Sequence, residues 1–176
     1  MSKEPEPIYA QGYFIVHRIG LFNQIVIFDY YDPDQYYWGV LRNASRLKRE
    51  QETLMKNMQY FLDQEKVLIN GVETKPVVKN VEIGIRGKPT LSYIVFYIEF
   101  EGELVKGLNI YENLYEEEVS EYDYVVYWIF PWNIRVVEAD VGVQYSVLND
   151  GRLLIFHVPK GTRVGGYEKI VFEVHE

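Results

Sequence analysis

The sequence predicts a mainly β, α+β protein: an antiparallel β-sandwich with an N-terminal β-hairpin or meander and one amphipathic helix packed on it. Three observations lead there. From Val67 onward, short runs of β-branched and aromatic residues recur about every ten positions between turn-forming residues. Only residues 42–66 show helical periodicity over a long stretch. The apolar fraction of 48% over 176 residues is enough to bury a sizeable core without disulfide or metal staples.

Along the chain, residues 1–8 read as a flexible tail, because Glu4-Pro5-Glu6-Pro7 suits neither a helix nor a central strand. Residues 12–19 and 23–31 form a hairpin around Gly20-Leu21-Phe22. Residues 36–41 fit either a third strand or a helix opened by Asp32 and Pro33; Gly39 and Asn43 interrupt the helical option, so a strand is expected. The amphipathic helix then starts at a cap on Asn43 or Ser45. At about 100° per residue, Ala44, Leu47, Leu54, Met55, Met58, Phe61 and Leu62 share its core-facing side. Arg42, Arg46, Arg49, Lys56 and Tyr60 fall opposite.

The turns Asn70-Gly71, Gly87-Lys88-Pro89, Glu101-Gly102-Glu103 and Asn149-Asp150-Gly151 divide the remainder into strands. These fall near 77–86, 91–100, 104–111, 122–130, 133–139, 142–148, 152–158 and 168–175. The strand rhythm of residues 67–174 is immunoglobulin-like, without the Cys-Trp-Cys signature. Residues 116–121 read as an acidic loop and 160–166 as a flexible hairpin connection. The organisation is thus a tail (1–8), a hairpin-plus-helix segment (9–66) and the sandwich (67–176) in one compact unit. Any seam falls near 65–67.

Composition excludes several functions. With no cysteine there is no thiolate nucleophile, thiolate metal site or disulfide framework. A net charge of -8 argues against general affinity for nucleic acid or an anionic membrane. No stretch is long and apolar enough to span a bilayer, and the charged, proline-broken N-terminus has no signal-peptide core, so a cytoplasmic protein is expected. The Tyr, Glu, Ile and Val content has a heat-adapted character. No cofactor motif completes itself, so none is expected.

Five sets of residues could carry chemistry. Arg42, Arg46, Arg49 and Lys56 could bind phosphate or another anion, although Arg46–Glu50, Lys48–Glu52 and Glu52–Lys56 are i,i+4 partners that would neutralise a solvated face. Asp29, Asp32 and Asp34 could hold a divalent cation, but Asp-Pro-Asp is also an ordinary turn and cap sequence. Glu99 and Glu101 share a strand face and could act as a glycosidase acid and nucleophile. His17, His157 and His175 have no metal-ligand spacing. The 16 tyrosines exceed what one core readily takes. Tyr93, Tyr97 and Tyr127, with Tyr36, Tyr37 and Trp38, are therefore candidates for a binding surface. The expected function is a non-catalytic interaction or structural protein that engages a protein partner or forms a homo-oligomer through an aromatic surface. A glycan hydrolase using Glu99 and Glu101 is the alternative, and anion or nucleic-acid binding by the helix the third.

Overall fold

The computed structural model describes residues 1–176. Its elements are β1 (Glu6–Val16), β2 (Leu21–Tyr31), α1 (Tyr36–Leu41), α2 (Ala44–Leu62), β3 (Lys66–Ile69), β4 (Val72–Thr74), β5 (Val77–Ile85), β6 (Leu91–Glu101), β7 (Gly107–Val119), β8 (Asp123–Ile129), β9 (Ile134–Asp140), β10 (Tyr145–Leu148), β11 (Leu153–Val158) and β12 (Arg163–Val174). The fold is mainly β, with two sheets packed together. A seven-stranded sheet runs β10-β11-β8-β1-β2-β6-β5, and a five-stranded sheet runs β4-β3-β7-β12-β9.

The purely antiparallel sandwich needs one correction, because β1 pairs with β8 in parallel. The hairpin is therefore not an appendage. It forms the centre of the larger sheet, β2 pairs with β6, and strands from both sides of residues 65–67 share that sheet, so no seam falls there. The tail is also shorter than expected. Strand β1 begins at Glu6, and a register shift between Pro7 and Tyr9 takes up the residues that cannot follow the regular ladder.

Residues 36–41 are helical rather than extended. The buried Asp32 carboxylate explains this: one oxygen accepts from the Tyr36 amide and the other from the Tyr37 amide, each at 2.9 Å. Gln35 takes the left-handed conformation before the helix, and Asn43 ends nothing but caps α2, its Oδ1 accepting from the Arg46 amide at 3.0 Å. Strands β3 and β4, on either side of the Asn70-Gly71 turn, complete the smaller sheet. The stretch 116–121 is mostly strand, since β7 continues to Val119 opposite Arg163 and Val164. The connection at 160–166 is correspondingly shorter, with Gly165 and Gly166 inside β12 at a register shift.

Even-numbered residues of β2 and β6 all face inward, and two structures cover that one face. Beside the five-stranded sheet lie Phe22, Phe100, Trp128, Phe130, Tyr111 and Phe172, all buried. Phe14 stacks on Trp128 with ring centroids 4.2 Å apart. Beneath α2 lie Val81, Ile83, Ile94, Phe96 and Ile98, packed by Leu47, Leu54, Met55 and Met58. Leu62 is buried as its helical position requires, but Phe61 is not core: its side has no sheet beneath it, and it stays 64% exposed. No helix is long and apolar enough to cross a membrane.

Candidate functional site

The opposite face of the seven-stranded sheet has no layer over it. The registers of five adjacent strand pairs put Ile155, Tyr127, Tyr13, Ile25, Tyr97 and Asn80 side by side in one row across β11, β8, β1, β2, β6 and β5. Tyr13 and Tyr127 stack face to face, 4.9 Å between centroids and 7° from parallel. Burial raises the pKa of Tyr13 and, with the nearby Glu82 carboxylate second, that of Tyr97. Ile129, Ile15 and Leu153 extend the apolar strip on one side; on the other Ile27 continues it, flanked by Val125 and Val95, which their neighbours already bury. Tyr97 and Ile129 remain more than a third exposed.

Polar groups bound the strip. His17 Nε2 lies 2.6 Å from Asn23 Oδ1, and Asn23 Nδ2 donates to Glu99 at 3.3 Å. The Tyr93 and Tyr97 hydroxyls both donate to Glu82, each at 3.3 Å. Tyr93 itself is closely packed. Its ring lies so close to Gly84 that a Cβ there would meet it at 2.3 Å, and the Arg86 guanidinium sits 4.4 Å above the ring while pairing with Asp29.

The other candidates fare differently. Tyr37 is buried beneath α1 and offers no binding surface, while Tyr36 and Trp38 stand on the helical side, away from the strip. Arg46 covers Tyr36 and Arg42 covers Trp38, at 5.0 and 5.4 Å from the ring centroids. The Tyr36 hydroxyl takes Glu50 at 2.9 Å, so the expected Arg46–Glu50 pair is replaced by aromatic contacts. Arg49 and Lys56 are exposed on α2. The three aspartates do not converge on a cation: Asp29 holds Arg86, Asp32 holds two amides, and Asp34 accepts from the Lys3 amide at 2.5 Å. Glu99 faces Asn23 and, at 4.0 Å, Lys79, whereas Glu101 lines a separate shallow cleft with Asn70 and Glu103. No single cleft gathers both carboxylates. His157 is exposed and His175 faces Glu173, so the histidines also stay apart.

Sequence reasoning missed a partly buried polar cluster. The Tyr115 hydroxyl donates to Glu168 at 2.8 Å, and Asn113 Nδ2 donates to Glu65 at 3.1 Å. Burial pushes Glu168 up to about 7 and raises Glu65; the Tyr115 bond opposes the first shift and the Asn113 bond the second. A readable signal existed, because Glu168 shares strand parity with the buried Ile170 and Phe172.

Comparison with known proteins finds distant structural similarity alone. No protein-family model matches the sequence, and no curated protein matches it. Among solved structures, the NMR structure of the folded domain of Mycobacterium tuberculosis LppM aligns over 100% of this chain and 95% of its own, with 8% identity and a TM-score of 0.49. An aminopeptidase N family protein from Idiomarina loihiensis aligns over 92% of this chain, with 7% identity and a TM-score of 0.42. This chain covers only 29% of that protein.

Proposed function

We propose that the protein is a non-catalytic interaction protein that pairs with a second copy of itself across the uncovered face of the seven-stranded sheet. The observation that carries this reading is the row Ile155–Tyr127–Tyr13–Ile25–Tyr97 on five neighbouring strands. Reversed against itself, as a two-fold axis along the strands requires, the row sets each isoleucine opposite a tyrosine and Tyr13 opposite Tyr13. Five strands at about 4.8 Å spacing and five residues at about 3.3 Å rise give an apolar patch of roughly 19 by 16 Å, the centre of an interface whose rim would be the polar groups that bound the strip. Two sheets packing face to face at about 10 Å would interdigitate these side chains as a sandwich core does.

Sedimentation velocity over a range of concentrations tests it. The expected result is a reversible dimer that Ile25→Glu converts to monomer while the far-ultraviolet circular dichroism is unchanged, since Ile25 is partly exposed in the free chain. A wild-type chain that stays monomeric at high concentration overturns the reading. So does a dimer that Ile25→Glu leaves intact.

A further inference from the structure

On the inner side of the same sheet, remote from the proposed dimer face, the two covering layers do not meet. Between them lies a cleft of about 630 Å³, within the range of small-ligand sites. Its floor is apolar, formed by Phe28 and Phe96 of the sheet and Met58 of α2. Phe28 packs edge-on against both Phe96 and Tyr122, each at 6.1 Å, which fixes the floor and one aromatic wall. At the lip stands Phe61, an exposed aromatic on the helix side that otherwise packs inward.

The remaining wall is acidic. Glu65, Glu116 and Glu118 all line the cleft, and no lysine, arginine or histidine does. None of the three forms a salt bridge; Glu117, between two of them, turns instead to Arg163 at 3.6 Å. Glu65 accepts only from Asn113. That asparagine is itself buried, and its Oδ1 has no partner, so acceptors outnumber donors one layer in as well. Unneutralised carboxylates beside a low-dielectric floor favour a ligand that brings its own positive charge, and Tyr115 and Tyr122 add aromatic lining to the same cleft.

We infer that this cleft binds a small amphipathic organic cation: a protonated amine directed at Glu65 and Glu118, carried on an apolar body that lies over Phe28 and Phe96 beneath Phe61. An anionic ligand would meet the acidic wall, and a neutral one would leave the wall's acceptors unanswered.

Isothermal titration of the full chain at neutral pH with octylamine, octanol and octanoate separates charge from chain length. Octylamine is expected to bind saturably at one site, about tenfold or more tighter than octanol, with no detectable octanoate binding. Phe61→Ala and Glu118→Gln, both exposed positions, are each expected to weaken octylamine severalfold without moving the thermal midpoint. Octanol binding as tightly as octylamine overturns the inference, as does an octylamine affinity that both variants leave unchanged, or no binding at all. Ile25→Glu lies on the other face of the sheet and is expected to leave octylamine binding intact. Loss of binding in that variant would assign the amine to the outer face and overturn the cleft assignment. The dimer and the cleft can thus fail separately.

Discussion

One continuous inner face of the seven-stranded sheet is closed in two ways. Where the five-stranded sheet covers it, large aromatics interlock: Phe14 lies flat on Trp128, Tyr111 meets Trp128 edge-on at 4.6 Å, and Phe22 stacks on Phe100 at 4.8 Å. Where α2 covers it, the contact is a single helical stripe of leucine and methionine, and Leu47, Leu54, Met55 and Met58 are only partly buried. A sheet can lie flush on a sheet, but a cylinder touches a sheet along a line and leaves wedges on either side. The sheet-covered half is therefore expected to hold most of the stability, while the helix-covered half retains the concave surface.

Truncation tests this difference directly. Trp128→Ala removes a fully buried ring from three aromatic contacts and is expected to cost about 3–5 kcal/mol in chemical denaturation. Leu54→Ala, in the helix-covered half, should cost roughly 1–2 kcal/mol, because its side chain is already partly solvated and less apolar area is lost. Equal costs would mean that the two halves are closed equally well and that the cleft is a shallow surface feature.

The attachment of the helical layer gives a smaller effect. Asp32 is completely buried, and both its oxygens are used by the first amides of α1, which leads into α2 through Arg42 and Asn43. Asp32→Ala leaves those amides unpaired and is expected to cost about 2 kcal/mol, read as a lower thermal midpoint. If this anchor serves only the helical half, hydrogen exchange should speed up in α1, α2 and β5 and stay unchanged around Trp128. Uniform acceleration would show that the halves unfold as one unit.

The contrast also explains what could be read from the sequence. Strands β5, β6, β8 and β11 and the Asn43 cap follow local rules of turn chemistry and periodicity, and their limits lie within a few residues of expectation. The position of β1 could not be read this way. Its parallel pairing with β8 joins Tyr13 to Tyr127, far apart in the chain, and parity says which face a residue takes but not which strand lies beside it. Tyr97 and Tyr127 were therefore identifiable, while Tyr13, Ile25 and Ile155, which link them into a row, were not. The strand reading of 36–41 failed because Asp32, buried by distant packing, supplies a helix start that outweighs Gly39. Phe61 kept its helical phase but lacked a floor, since helical phase cannot say where the sheet below ends.

The mildest perturbation concerns the junction of the two halves, where Glu168 sits behind Tyr115. Glu65, Asp140, Tyr111, Tyr115 and Tyr124 surround this carboxyl, and its strongest influence is burial. Its pKa rises from the ordinary 4.5 to about 7 on folding, so the folded state favours the protonated acid. Its contribution is fully present below pH 4.5, falls as pH rises, and is gone above about 7, where ionisation carries the whole cost of burial. Glu168→Gln keeps an acceptor for the Tyr115 hydroxyl and removes the ionisation. Relative to wild type, the variant should be close to neutral at acidic pH and about 1–2 kcal/mol more stable at alkaline pH, a discount from the full shift for partial solvent access. Thermal midpoints of the pair across that range decide the matter. A difference independent of pH would mean that Glu168 ionises as freely in the fold as in the unfolded chain, and that solvent from the helix-covered half reaches past Tyr115 into the junction.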